Sequence, residues 1–401
     1  MTHAASESAS PTRRDFLRST SAALALLGVP EALWAMQSGE EMVRLTDYTD
    51  DFKIEAQASN PFVRCVDHRT LTSWVTANED FYAFHQTVTP TVDPATFRLR
   101  ISGLVDRPRE FTLGELMARA DRRDEAVTLE CSGNSNRPTR MAGLLSNGVW
   151  TGVPLATVLK ESGVKAEARE VVFLGADLEK EKKWQAGNRE FEAPHGRSVY
   201  VQDALHPDAL LAFHLNGKPL PAKNGFPLRL ILPGWYGMTQ VKWLSRIHLI
   251  DRRYEGQHQV RNYLSLRAHE TPEGTIWLDQ SISRTNMKSI VARVTRRRSG
   301  ADWEYRISGP AWGGQVPIQA VEVKVDEGPW QTATLGDQRG KYAWTLWSFA
   351  VKNLTPGLHK VVSRAIDANG TVQPTEQERR ARLASGREDN AQWTREIDVT
   401  A

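Results

Sequence analysis

The sequence predicts two domains, an α+β domain over residues 36–275 followed by an all-β immunoglobulin-like sandwich over residues 276–401. Three observations predict it. At 401 residues the chain exceeds what one ordinary hydrophobic core organises. Its earlier part mixes apolar strand signals with short capped helices. From about Met287 onward, short alternating strands are parted by turn signals at regular spacing.

The first domain follows a polar, extended lead-in over residues 36–60, and order is expected to begin at residues 61–65. Residues 79–86 form an aromatic-rich segment before Pro90 and Pro94. Residues 97–103 alternate apolar and polar side chains as a half-buried strand does, and Thr112 caps a short helix after them. Ala126, Val127 and Leu129 mark a strand that breaks into Cys131-Ser132-Gly133-Asn134. Residues 154–160 read as a helix with Pro154 in its first turn. Residues 171–175 read as a buried strand with Asp177 just beyond its end. The charged stretch 178–195 carries no assignable pattern. Residues 207–213 are expected to be helical, 217–221 to turn, and 226–234 to form a strand interrupted by Arg229. Two further strands are expected at 241–244 and 247–250.

The second domain is read from its strands at 289–294, 321–325 and 361–367. Asp326-Glu327-Gly328 supplies a hairpin turn that returns the chain through residues 330–334. Arg296, Arg297 and Arg298 are expected on a solvated hairpin. Asn369-Gly370 closes the last strand.

The leader and the overall charge narrow the setting. Arg13-Arg14, with Phe16-Leu17 and the apolar run at residues 22–28, is a twin-arginine export signal over residues 1–35. That run is too short to span a bilayer, so no membrane span is expected in the mature protein. The destination is the periplasm, reached already folded, with a cofactor in place. A net charge of +3, with no basic run interleaved with aromatics, points away from nucleic acid. The thirteen tryptophans suggest rigid burial surfaces rather than one chemistry. Cys65 and Cys131 are the two cysteines, and the oxidising compartment leaves a disulfide between them open.

Two positions carry candidate chemistry. Cys131 ends a strand on a loop of small polar residues, and Arg137 and Arg140 follow it. Nearby cations favour thiolate over thiol and attract anions. A buried small hydrophobe is the competing reading, and residue physics alone leaves it standing. Arg229 lies inside an apolar strand, where an unpaired charge is prohibitive. It therefore needs either an anionic ligand such as phosphate or a structural carboxylate.

Taken together these motifs resemble the sulfite oxidase family of molybdopterin-dependent oxidoreductases, over about residues 60–400. Cys131-Ser132-Gly133-Asn134 matches the motif of the molybdenum-ligating cysteine. Asn224-Gly225-Phe226-Pro227-Leu228-Arg229 matches the pterin-phosphate motif. Val241-Lys242-Trp243-Leu244 matches a third, with Gln240, Val241 and Lys242 at cofactor-contacting positions. The resemblance also implies cofactor contacts from Asp177 and from Tyr82, Ala83, Phe84, His85 and Gln86. It implies an active-site tyrosine at Tyr263, a pocket wall at Trp150 and anion binding by Arg137.

The resemblance thus implies a molybdenum-molybdopterin cofactor, Cys131 as its protein ligand, and pairing of two chains through the second domain. Sulfite oxidation, with electrons passed to a separate c-type cytochrome, is the expected activity. One departure matters: Phe84 occupies the place where sulfite oxidases carry an arginine, unless Arg137, Arg140, Arg261 or Arg387 supplies the cation. That departure keeps a second expectation in play, reduction of S- or N-oxides on the same cofactor. A third is a non-catalytic binding protein that retains the fold.

Overall fold

The computed structural model describes residues 35–47, 62–134, 143–183 and 189–400, with side chains of 179–190 outside the description. The leader, Arg137 and Arg140 lie outside the described residues.

Two sheets build the first domain. One has the order Gly196–Tyr200, Glu170–Gly175, Leu244–Ile250, Arg98–Gly103, Arg109–Thr112. Within it Leu244–Ile250 runs parallel to Arg98–Gly103 and antiparallel to Glu170–Gly175. The other sheet is antiparallel and places Leu145–Pro154 between Arg123–Glu130 and Leu210–Leu215, which also pairs with Arg229–Ile231. The two sheets share a core: Leu99, Phe173 and Ile247 of the first meet Val153, Leu211 and Leu230 of the second. Helix Leu155–Ser162 adds Val158 and Leu159 to that core. Thr112 caps helix Leu113–Met117 with a full capping box, as its sequence predicts.

The second sheet is covered on its other face as well. Val127, Leu129 and Val149 pack there with Trp74 and Phe81, and with Ile290, Trp312 and Trp344 from beyond residue 280. A sheet buried on both faces has no reason to alternate, and Leu145–Pro154 is buried at eight of its ten positions. The same physics corrects the helix expected at 207–213. Leu210, Leu211 and Ala212 belong to a strand between two cores, and a short all-apolar run reads alike for helix and strand. The strand expected over 226–234 contracts to Arg229–Ile231.

The C-terminal part comprises two antiparallel sheets. Arg293–Ser299, Asp302–Trp312 and Thr345–Lys352 are central to one; Thr394–Val399, Gly357–Asp367 and Ile318–Val325 are central to the other. Tyr305, Ile307 and Trp347 of the first interleave with Val321, Val361 and Ile397 of the second. The hairpin at Asp326 forms as predicted, with Gln331–Thr332 returning along Ile318–Val325. Arg296 and Arg298 flank the Trp303 ring on their hairpin.

The polar lead-in takes part in this region. Glu41–Met42 extends one sheet and Arg44–Leu45 the other, with Val43 and Leu45 in the sandwich core. Strands dominate the whole chain, so the helical half of an α+β description is small: the longest described helix has eight residues. No helix among the described residues is long and apolar enough to cross a membrane.

Candidate active site

Cys131 follows the C-terminal end of Arg123–Glu130, where the strand leaves its sheet. Its N–H donates to Leu144 O at 2.9 Å, and its own carbonyl accepts from Asn134 N–H at 2.9 Å. Asn134 closes the turn: its Nδ2 donates to Glu130 Oε1 at 3.2 Å, and its Oδ1 accepts from Leu144 N–H at 3.0 Å. The asparagine of the Cys-Ser-Gly-Asn motif therefore holds the loop that presents the sulfur. No disulfide joins Cys131 to Cys65.

Cys131 lines a cavity together with nearly every residue the sequence assigns to a site. Tyr82, Ala83, Phe84, His85 and Gln86 form one wall, with Asp177 beside them. Asn224, Arg229, Gln240, Val241 and Lys242 form another, and Tyr263 closes a third side. Segments distant in sequence converge here because three separate turns point inward. The turn at Gly225 allows it: φ is +110° there, and a Cβ would stand 3.1 Å from the Cβ atoms of both Arg229 and Lys242. At Gly237 a Cβ would stand 2.5 Å from the Tyr82 hydroxyl, so only glycine permits that approach.

Two cations lie on this wall, Arg229 buried and Lys242 half-buried. Arg229 donates to Asn224 O at 2.8 Å and to Gln240 O at 3.0 Å. Its guanidinium lies 5.0 Å over the Trp150 ring. Lys242 Nζ donates to Lys223 O at 3.1 Å and Phe84 O at 3.3 Å, and meets His85 Nδ1 at 2.8 Å. Neither cation forms an ion pair among the described residues, and burial, acting first, lowers both pKa values, that of Arg229 to about 10. His85 is held neutral, its pKa lowered to about 3 by burial and then by Lys242. An accepting Nδ1 leaves Nε2–H to donate to Thr89 Oγ1 at 3.0 Å. Burial also raises the Tyr82 hydroxyl well above its ordinary range, so it stays a donor.

A cofactor with an anionic end fits these residues. Neither cation is ion-paired among the described residues, Asp177 acts on Lys242 only as a nearby charge, and Arg229 Nε and Asn224 Oδ1 have no hydrogen-bond partner among the described residues. No group of three His, Cys, Asp or Glu among the described residues could hold a metal by itself. A metal at Cys131 would therefore take its remaining donors from the cofactor, as a soft thiolate suits.

Several assignments change in detail. Trp150 does not line the cavity: it is fully buried, its Nε1 donates to Val127 O at 3.4 Å, and it lies behind Arg229. It sits on a strand covered on both faces, so its role is support of the arginine rather than a wall. Gln240 spends its side-chain amide on Leu232 and Trp235, and its backbone carbonyl accepts from Arg229. Arg261 is exposed and does not line the cavity. Arg387 donates to Asn262 O and lies 4.4 Å over the Tyr263 ring, so it orients the tyrosine. Phe84 does line the cavity.

The sequence reading missed His195 and His258, whose rings stand 4.6 Å apart on the same cavity. His195 ends the stretch without assignable pattern, and His258 lies in the one-turn helix Gln257–Val260. Neither position carries a local signal that sequence inspection could use.

The fold and this cavity are those of a protein that could hold a cofactor with an anionic end beside Cys131. Comparison with known proteins gives the family. The oxidoreductase molybdopterin binding domain matches residues 85–258, and the Mo-co oxidoreductase dimerisation domain matches residues 279–398. Sulfite oxidase of Gallus gallus is 30% identical over 75% of this chain and 68% of its own length. Inducible nitrate reductase [NADH] 2 of Glycine max is 28% identical over 84% of this chain but only 40% of its own length. Among solved structures, the sulfane dehydrogenase SoxCD from Paracoccus pantotrophus superimposes with a TM-score of 0.73 at 26% identity, covering 88% of this chain and 90% of that one. The chain belongs to the sulfite oxidase family of molybdenum-dependent oxidoreductases and binds the molybdenum cofactor.

Proposed function

We propose that this enzyme oxidises sulfite to sulfate in the periplasm and passes the electrons to a separate c-type cytochrome. The observation that carries the reading is the shared cavity of Cys131, Tyr263 and two cations, Arg229 and Lys242, whose hydrogen bonds go to neutral groups. Sulfite and water give sulfate, two protons and two electrons, and a cytochrome accepts those electrons one at a time. The molybdenum cofactor, when bound, supplies the two-electron chemistry, as cofactors carry the hard step.

The chain supplies the rest. Cys131 holds the metal through its thiolate. Arg229 takes the anionic end of the cofactor through its planar fork, and Lys242 meets it as a point charge. Tyr263, steadied by Arg387, is placed to donate a hydrogen bond to a substrate oxygen. The likeness to chicken sulfite oxidase and to the sulfane dehydrogenase supports the oxidative direction.

Phe84 favours a second reading, reduction of an S- or N-oxide. An apolar side chain in place of a cation suits a neutral oxo-substrate better than a dianion. The likeness to a nitrate reductase shows that relatives also work in the reductive direction.

Anaerobic addition of sulfite to oxidised, molybdenum-replete protein tests the two. Bleaching of the visible spectrum, with sulfite-dependent reduction of cytochrome c, is expected. Molybdenum without bleaching, together with turnover of a sulfoxide or N-oxide by reduced enzyme, would replace the first reading by the second. Cys131→Ser is expected to bring turnover to background in either direction while the protein stays folded. The twin-arginine leader and the dimerisation domain add two further elements, export in the folded state and pairing of two chains. Cell fractionation and light scattering test them.

A further inference from the structure

The loop that presents Cys131 is gripped from the C-terminal part of the chain at both neighbouring residues. On one side Glu130 is fully buried. Lys288 Nζ reaches its Oε1 at 2.5 Å, and Trp312 Nε1 donates to its Oε2 at 3.0 Å. Both partners are themselves buried, and more than 150 residues of chain separate each from Glu130. On the other side the carbonyl of Ser132 accepts from Glu388 N–H at 2.8 Å. Glu388 is fully buried, with φ of +57°, and is held by Arg267 Nη2 at 2.8 Å and 2.9 Å. Asn286 Nδ2 donates to the Glu388 carbonyl at 2.8 Å.

We propose that this clamp makes the C-terminal domain a positioning element for the metal ligand. Lys288 and Trp312, acting through Glu130, and Glu388, acting through Ser132, fix where Cys131 presents its sulfur.

The physical argument rests on what an ion pair does that apolar packing cannot. A buried pair of apolar side chains of equal volume commonly stabilises a fold as well as a salt bridge or better. Each carboxylate oxygen of Glu130, however, has its own donor, so the side chain is held in direction as well as depth. Glu130 also accepts from Asn134, which closes the cysteine turn, so the restraint passes directly into the loop. Partners one shell removed from a metal act in this way, orienting the ligand they touch. The three positioning residues come from three separate segments of the C-terminal domain, so the loop keeps its geometry only while that domain is docked.

The inference rests on Cys131 as the metal ligand, and the test separates the two. Full-length, cofactor-loaded protein is compared with the Glu130→Gln/Lys288→Met double variant, Trp312→Phe and Cys131→Ser. Molybdenum per chain, the electron paramagnetic resonance signal of the half-reduced metal, and the thermal midpoint are measured for each. The double variant removes both charges together and is expected to stay folded. It should retain about 10-fold less molybdenum, in line with the effect of outer partners on metal sites. The g-values of its remaining signal should be displaced. Trp312→Phe should move both readouts in the same direction by less, and it decides the matter should the double variant fail to fold.

A merely structural role leaves the g-values of folded protein unmoved. Wild-type metal content and signal in the folded variants, beside an altered signal in Cys131→Ser, would overturn the clamp alone. A wild-type signal in Cys131→Ser would overturn the ligand assignment and the clamp with it.

Discussion

Two groups of buried cations lie close to the same cysteine, and they are treated in opposite ways. In the seam between the two parts of the chain, buried Lys288 meets buried Glu130 at 2.5 Å, and half-buried Arg267 meets buried Glu388 at 2.8 Å. In the cavity, Arg229 is buried and Lys242 half-buried, yet their bonds go to carbonyl oxygens and a neutral imidazole. Removing an ion from water costs several kcal/mol unless an opposite charge compensates. The seam is compensated when the chain folds. The cavity is left for a ligand to compensate, and its cations show this in pKa values lowered by burial. Beside this cysteine, then, the paired cation Lys288 belongs to the architecture, and the cations bonded to neutral groups belong to the cavity.

The largest effect is expected in the seam. Lys288→Met strands the Glu130 carboxylate in a water-free core and should lower stability by about 3–5 kcal/mol. Urea denaturation of the full chain measures it, and a loss below about 1 kcal/mol would break the contrast.

A slightly smaller effect follows from pH. His68, packed against Trp344 in the same seam, donates its Nε2–H to Leu145 O at 3.0 Å. Burial lowers its pKa from 6.5 to about 4, with Arg395 adding to the fall and Leu145 and Asp67 opposing it. The unfolded chain then takes up a proton that the folded one refuses. Stability is fully present above about pH 6.5 and is lost as pH falls toward 4, by roughly 3 kcal/mol at the end of that window. His85 extends the same loss toward pH 3. His68→Gln keeps a donor for Leu145 O and should flatten the upper part of the acid limb in a series of thermal melts.

The smallest effect sharpens the comparison most. Arg229→Met in cofactor-free protein should cost at most about 2 kcal/mol, because lost carbonyl bonds are partly offset by relief of an unpaired charge. The same variant should fail to retain molybdenum. A stability loss equal to that of Lys288→Met would show that Arg229 is structural after all.

What the sequence discloses about this site is what lies within a few residues. Cys131 with its closing Asn134, Gly225 with Arg229, and Lys242 beside Trp243 are each legible because one turn carries both the residue and the reason for its placement. Phe84 was legible as a departure for the same reason. The histidine pair was not, since His195 and His258 come from segments without periodicity and meet only through the fold. Trp150 was misplaced because position along a strand does not say which of two buried faces a side chain enters. The fold was legible where one face meets water, as in residues 97–103. It was ambiguous where both faces are covered, as in Leu210–Leu215. The clamp on the cysteine loop lay beyond reach because Glu130 and Lys288 stand 158 positions apart.

The pairing of Arg44–Leu45 with Thr394–Val399 carries a consequence for synthesis on the ribosome. Arg44 is aligned with Asp398, and Asp47 bonds Arg395 across 348 positions, so two stretches made far apart in translation lie side by side. The early one has no partner on this edge until residues 397 and 398 have emerged. Contacts of such sequence separation form slowly, because a long loop must close before any bond rewards it. This edge of the sandwich therefore closes only after the later strand is made, and a nascent chain arrested short of residue 394 lacks the strand that receives Arg44–Leu45.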